Sequence, residues 1–469
     1  MSTPFVWIIF PALVSVVLLI LQRWERLVAV IGTLTCTILA ALAWWLPTKE
    51  QFFIGPWVIR LANSLSIFGR HFVLTAEERP MLIVFYLGVA FWFGASVVAG
   101  AGRWFIPLGL GMTALLTAAV AVEPFLYAAL LIELAVLISI PFLTPPSSQR
   151  PSGILRYLTF QTLGMPFILF TGWMLSGIEA EPADSSLVLH ASVLIGLGLA
   201  LLFGVFPFHT WIPMLMKDCQ PYVSAFVLIL LPGAISFLML EFLQRFPWLR
   251  ADEILMILRS VGILMVVIAG ALTAFEQHLA RMLGYAVLIE IGFILIVAGS
   301  ANSKNTDDVL RSFYAAVFPR GLGFGLWALG LSIFHSRTPR LYMKDVEGLG
   351  RVFPLATCGV ILGNLSLAGL PLLPGFPIRL AIWENLAELS PQAAYLTLLG
   401  CLGLMLAGLR TLAALVGGAS ETKWQMDEST SQRIFLLVGL CAFILAGLMV
   451  QWLLPLFANL PQAFQPLTP

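Results

Sequence analysis

Charge is what this sequence most conspicuously lacks. Only 10% of its 469 residues are Asp, Glu, Lys or Arg, 60% are hydrophobic, and the mean hydropathy is +0.97. Soluble domains carry about 25% charged and about 45–50% apolar residues, so this chain has too little polar surface to dissolve as a globular protein. Net charge is also missing: a formal +1 at pH 7 gives no basic or acidic bias toward nucleic acid or an acidic ligand. The five cysteines, Cys36, Cys219, Cys358, Cys401 and Cys441, are scattered singly. No CxxC pair or His/Cys cluster has metal-ligand spacing, which argues against disulfide frameworks, zinc and iron–sulfur centres. There is no phosphate loop, dinucleotide fingerprint or nucleophilic triad. The one glycine cluster, GLGFG at 321–325, lies in an apolar run where close helix packing accounts for it. No cofactor and no metal are expected in this chain.

What the sequence has in abundance is long apolar runs. A membrane-spanning helix needs about 20 mostly apolar residues, and runs of that kind lie near 5–22, 27–46, 81–100, 104–122, 125–144, 153–176, 187–207, 222–243, 254–275, 279–299, 309–335, 353–380, 393–418 and 432–456. Helices are required because backbone groups in the bilayer must be satisfied within their own segment. The expected fold is an all-α polytopic membrane protein of about fourteen transmembrane helices. Arg23 and Arg26 follow the first run where a signal peptide would show a small-residue cleavage site, so that run is read as a membrane helix.

One alternate set of loops carries Arg23, Arg26, Arg103, Arg150, Arg156, Lys217, Arg281, Arg337, Arg340, Lys344, Arg351, Arg410, Lys423 and Arg433. The opposite set has few basic residues outside 47–80, and its 177–186 loop is purely acidic. The positive-inside rule makes the first set cytoplasmic and places both termini on the outer side. The 47–80 connection contains IGPWVIRL and SIFGRHFVL, two short alternating runs expected to pair as a hairpin on the outer face. No linker separates a second domain. The whole chain, 1–469, reads as one membrane domain: N-terminal helices and hairpin (1–79), a core (80–420) and a C-terminal helix (421–469).

Three unusual features recur at similar spacing. Glu133 lies in the fifth run and Glu290 in the tenth; Arg156 opens the sixth and Arg320 sits in the eleventh; Pro207 breaks the seventh and Pro371 the twelfth. The offset is an odd number of helices, so the second set is inverted. The pattern predicts two inverted five-helix repeats, about 104–243 and 254–418, with corresponding helices 7 and 12 broken, as in inverted-repeat transporters.

An ionisable group near the membrane centre costs about 2.5–3.5 kcal/mol on insertion scales, so each demands a partner or a hydrated path. Glu133, in LYAALLIELAVLISI, has no charged neighbour in sequence. It reads as a proton-exchanging carboxylate or as a structural partner of an arginine on an adjacent helix. Glu290, in GYAVLIEIGFILIV, has the same two readings, with Arg259 or Arg320 as neutralising partners. Arg320 follows Pro319 and precedes two glycines; Arg379 follows LPLLPGFPI. Arginine is effectively never deprotonated, so both suit fixed counter-charges better than proton carriage. His209, in VFPFHTWIP, stands at a helix break, where a histidine suits proton transfer at neutral pH or simple interfacial hydrogen bonding. Glu123, Asp218 and Glu241 lie at run ends and are assigned to the interface. The many Trp and Phe residues show no cofactor box.

Four segments together resemble a known family. FGVFPFHTWIPMLMKDCQPYVSAFVLILLPGA at 203–234, EQHLARMLGYAVLIEIGFILI at 276–296, VEGLGRVFP and SLAGLPLLPGFPIR are similar to the antiporter-like membrane subunits of respiratory complex I, a family that includes Mrp-type cation/proton antiporters and membrane arms of energy-converting hydrogenases. The resemblance covers roughly residues 80–420. It implies the fourteen-helix fold with two inverted repeats and a buried charged axis for proton translocation, in which Glu133 matches the fifth-helix glutamate. It also sets Leu202 where the seventh-helix lysine would stand, Gly233 at the eighth-helix lysine, Arg379 at the twelfth-helix position, Glu290 in place of the usual tenth-helix histidine and Arg320 at an eleventh-helix lysine. Lysine can release a proton when burial lowers its pKa; arginine cannot. The scaffold is thus expected to be kept with its relay interrupted in the first repeat.

The implied function is that of a non-redox membrane-arm subunit of a complex I-like or hydrogenase-like respiratory complex, contributing to proton translocation coupled to electron transfer. Its expected partners are other membrane-arm subunits and hydrophilic redox subunits, in an energy-coupling membrane of bacterial or archaeal type. The alternatives are an Mrp-like antiporter, a proton-coupled inorganic-carbon uptake subunit, or a non-pumping scaffold of the same fold. The residues assigned to the proton path or buried charge axis are Glu133, Arg379, Glu290, Arg320, His209 and Arg156.

Overall fold

The computed structural model describes residues 2–45, 51–54, 57–60, 62–67, 69–74, 79–145, 152–175, 185–300, 317–417 and 424–449. Within them the apolar runs fold as helices: α1 (Phe10–Ile20, led by a π-helical turn Phe5–Ile9), α2 (Glu25–Trp45), α3 (Arg79–Gly94), α4 (Phe105–Ala121), α5 (Ala128–Leu143), α6 (Ser152–Leu175), α7 (Ser185–Phe203), α8 (Trp211–Asp218), α9 (Pro221–Arg245), α10 (Asp252–Phe275), α11 (Leu279–Ala298), α12 (Val317–Arg337), α13 (Leu349–Val352), α14 (Pro354–Leu367), α15 (Phe376–Leu389), α16 (Pro391–Val416) and α17 (Thr430–Leu448). Eight helical spans among the described residues are long and apolar enough to cross a membrane. This is a mostly helical, polytopic membrane protein.

Burial ranks the helices from axis to rim. In the most apolar stretch of α11, 94% of residues lie inside the protein, and 83% in that of α9, against 28% for α17. A helix apolar on every side is a buried one, and α11 is the clearest case here. At the rim, α2 exposes Leu27, Val30, Leu34, Ile38 and Leu42, and α16 exposes Tyr395, Leu399, Leu402, Leu406 and Leu409. Both sets recur every three to four residues, the period of a single helix face.

Glycines bring α10 against both its neighbours. A β-carbon on Gly262 would lie 2.5 Å from the carbonyl oxygen of Gly292 on α11, and one on Gly270 would lie 2.2 Å from that of Gly400 on α16. Apolar side chains gain little by leaving lipid, so close backbone approach through small residues is what holds such helices together.

The run read as one span at 353–380 is two helices, α14 and α15, because LAGLPLLPGF stops the first at Leu367 and the second starts at Phe376. Gly369 (φ +84°) and Leu372 (φ +73°) make the reversal between them. The run at 187–207 breaks similarly: α7 ends at Phe203, Gly204 turns with φ +65°, a 3₁₀ turn spans Phe208–Thr210, and α8 follows. Of the run at 309–335, the first residues lie outside the described set. So do the acidic 177–184 stretch and the chain beyond residue 449.

The 47–80 connection holds two hairpins where one was expected. β1 (Gln51–Ile54) pairs with β2 (Trp57–Arg60), and β3 (Ser64–Ile67) pairs with β4 (Arg70–Val73) around Gly69. Each alternating run supplies strands for its own turn instead of one arm of a shared hairpin. β4 also pairs with β5 (Val122–Glu123) at the end of α4, with Phe72 opposite Val122. The amide of Thr3 donates to the carbonyl of Ala62 at 2.9 Å, tying the start of the described chain to the same patch.

Candidate functional site

Three of the six assigned residues meet. Glu290 lies midway along α11, the most buried helix, and is 7% exposed; Arg379 lies on the first turn of α15, just past the break, and is 5% exposed. Arg379 Nη2 donates to Glu290 Oε1. Arg320 of α12 approaches the other carboxylate oxygen, with Nε 3.7 Å from Oε2. Arg259, the other partner considered for Glu290, donates instead to the carbonyl of Gly299 at 3.4 Å.

Arg379 is held by more than charge. Its Nε and Nη2 donate to the carbonyl of Leu367 at 3.2 and 3.0 Å, the last carbonyl of α14, which the break leaves without a helical partner. Its guanidinium also lies over the ring of Phe293, 3.7 Å from the centroid, one turn along α11 from Glu290. A planar fork can serve a carboxylate, a carbonyl and an aromatic face together; an ammonium cannot. The backbone is shaped to bring it there: Gly375 donates its N–H to Ser366 Oγ at 3.0 Å, and a β-carbon on Gly375 would lie 2.1 Å from the Ser366 carbonyl oxygen.

The triad borders two spaces. A small cavity of about 280 Å³ is lined by Glu290, Pro319, Arg320, Ser366, Gly375 and Arg379. On the other side, about 980 Å³ of unfilled space lies among α3, α4, α9, α11 and α12, bounded by Leu116, Phe237, Ile294 and Phe324 and touching Gly233, Glu290 and Arg320.

The other three assigned residues stay apart from the triad. Glu133 on α5 is half-buried and accepts from Thr162 Oγ1 of α6 at 2.7 Å; its partner among the described residues is a hydroxyl, not the arginine that one reading anticipated. Arg156 is exposed, with Nη1 3.4 Å from Thr210 Oγ1. His209, beside that threonine in the 3₁₀ turn, packs its ring on Phe206 at 3.9 Å between centroids. Arg156 and His209 therefore share the α7–α8 break, as Arg379 occupies the α14–α15 break.

Sequence reasoning missed Thr162, Phe293 and the Leu367 carbonyl, none of which carries a signal in an apolar helix. It also could not see that Leu202 and Gly233 differ. Leu202 is 3% exposed, its carbonyl accepts from Gln161 Nε2 at 2.9 Å, and its side chain fills the hollow above Gly164. Among the described residues, a β-carbon on Gly233 would meet no atom within 4 Å.

Comparison with known proteins bears on this arrangement. The chain is 28% identical over 263 residues to NADH-quinone oxidoreductase subunit N of Rhodococcus opacus, covering 52% of this chain and 47% of the relative. It is 27% identical over 300 residues to formate hydrogenlyase subunit 3 of Escherichia coli, covering 58% and 48%. It thus spans about half the length of these curated relatives. Its fold matches a chain of the Mrp complex from Dietzia sp. with a TM-score of 0.81 at 16% identity, over 99% of both chains. Residues 160–406, more than half the sequence and including Glu290, Arg320 and Arg379, match the model of the NADH:quinone oxidoreductase/Mrp antiporter transmembrane family, and the chain belongs to that family.

Proposed function

We propose that this chain is an antiporter-like membrane-arm subunit of a complex I-like or hydrogenase-like respiratory complex, and that it contributes to proton translocation coupled to electron transfer. The observation that carries the proposal is the Arg379–Glu290–Arg320 cluster at the most buried helix, beside a broken helix. Protonation of Glu290 removes the charge that holds Arg379 Nη2 against Oε1, and the other anchor of that guanidinium is the end of α14. Proton exchange at Glu290 is thereby coupled to the geometry of the break. The two arginines remain charged throughout and act as counter-charges.

In the same reading the bundle has about fourteen spanning helices, two inverted repeats over about 104–243 and 254–418, and both termini on the outer face by the positive-inside rule. Glu133 is a second proton-exchanging carboxylate, and His209 and Arg156 belong to an access route at the α7–α8 break. The chain carries no cofactor; redox chemistry belongs to hydrophilic partner subunits, as the names of the two curated relatives accord with. Isolation of the chain from its native membranes, with identification of its companions, tests the assembly. Copurifying redox subunits are expected, and a stable chain isolated alone contradicts it. A second reading, an Mrp-like cation/proton antiporter, is favoured by the end-to-end match to the Mrp chain. Companions of antiporter type and sodium-dependent proton flux would select it.

A further inference from the structure

The space beside Gly233 has an unusual chemistry for something touching a buried ion cluster. Of its polar lining groups, the hydroxyl of Thr117 donates to the carbonyl of Thr113 at 3.0 Å and that of Ser236 to the carbonyl of Gly233 at 2.5 Å. Both hydroxyl protons are spent inside their own helices. Glu290 and Arg320 are engaged with each other at its inner end. Among the described residues, the rest of the wall is apolar, from Leu116, Ile229, Phe237, Ile291, Ile294 and Phe324. Water persists in a cavity when two to four polar partners hold it, and an apolar cavity stays dry. Apolar constrictions close pores by dewetting.

The cavity also has a way in. Met81, Val84 and Phe85 on α3 and Val317 on α12 line it and are partly exposed. These lie at the end of the bundle where α3 and α12 begin and α4 and α11 finish. Among the described residues, no ionisable group besides Glu290 and Arg320 lines the space. Gly233 sits on its wall one residue after Pro232, with open room where a side chain would go.

We propose that this chamber is a water-excluding barrier that insulates Glu290 and Arg320 from that face of the membrane, and that the absence of a polar or charged side chain at Gly233 is what keeps it non-conducting. The inference rests on the reading of Glu290 as a proton-exchange centre only for its physiological meaning; the dryness of the chamber stands or falls separately. A carboxylate or ammonium at position 233 would bring hydration with it and bridge the gap to Glu290.

The test uses the full chain in its native membranes, assayed for passive proton leak with a pH-sensitive dye in sealed vesicles. Gly233→Asp and Gly233→Lys are expected to raise the leak on the order of tenfold, equivalent to about 1.4 kcal/mol off the barrier. Gly233→Ala and Gly233→Leu, which fill space without bringing water, are expected to leave leak and coupled flux at the level of the unaltered chain. Equal leak from the polar and apolar variants, at matched abundance in the membrane, overturns the barrier. Loss of coupled flux in Gly233→Leu, with Gly233→Ala assembled and active, overturns it too, by showing that protons ordinarily pass there. Glu290→Gln separates the two readings: a leak through Gly233→Asp, together with undiminished coupled flux in Glu290→Gln, keeps the barrier and removes the proton centre.

Discussion

Arg379 donates to Glu290 on α11 and to the carbonyl of Leu367 at the end of α14, so one guanidinium closes both a buried ion pair and a broken helix. Removing one partner of a buried pair leaves the other uncompensated, at a cost of about 3–5 kcal/mol. Arg379→Ala is therefore expected to lower thermal stability by that order, read as loss of assembled protein on heating in detergent. Arg379→Lys should recover only part of it, since an ammonium can replace neither the fork nor the stacking on Phe293. A lysine variant as stable as the unaltered chain would show that charge alone matters.

Glu290→Gln keeps shape while removing the exchangeable proton and also the charge that balances Arg320 and Arg379, so flux is read only at matched abundance of assembled complex. Under the proposed function it should bring electron-transfer-driven proton flux to background with the complex still assembled. Undiminished flux would reduce the cluster to a structural one.

Leu202 and Gly233 should respond oppositely to the same substitution. Leu202→Lys forces an ammonium into filled space against Gly164, in a segment where a lysine costs about 2.5–3.5 kcal/mol, so the folded yield should fall. Gly233→Lys has room and should accumulate normally. Equal yields of the two would contradict the packing described around Leu202.

The packing of α10 makes a steric prediction. Gly400→Leu must push α10 away from α16, and overpacking of this kind costs about 1–3 kcal/mol. A lowered melting temperature is expected, with a smaller effect from the same change at Gly88, where a β-carbon meets nothing within 4 Å.

His278 gives the pH dependence. It lies between α10 and α11, where residues 277–279 pair with 341–343. Burial, aided by nearby Lys217, lowers its pKa to about 4 against the pull of Glu276. A depressed folded pKa means that the stabilising neutral form is fully present above the unfolded value of about 6.5. That contribution is lost as pH falls from there toward 4. Thermal stability in detergent should decline over this window, and His278→Gln should flatten the decline. An unchanged slope would place the acid sensitivity elsewhere.

Much of the fold was legible because the bilayer imposes a length and a polarity that apolar runs must satisfy. The prolines and glycines at 204–213 and 369–377 announced both breaks. The doubled hairpin was not legible, because alternation marks a strand without naming its partner. The cluster was legible in part. Glu290, Arg320 and Arg379 stood out as charges in apolar runs, but only tertiary packing joins Glu290 to an arginine 89 residues away. The contrast between Leu202 and Gly233 was invisible for the same reason: a missing lysine leaves the same sequence signal whether its place is filled or vacant.

The small sheet at the end of α4 has a consequence for the order of events during synthesis. His71 and Phe72 find their partners in Glu123 and Val122, and those residues emerge only after α3 and α4 have been made. The free edge of β4 must wait unpaired while two more segments enter the bilayer, although the β3–β4 hairpin and the Thr3–Ala62 tie need neither of them. The outer patch is therefore begun early and closed late, and a ribosome stalled before residue 122 would leave one edge of it open.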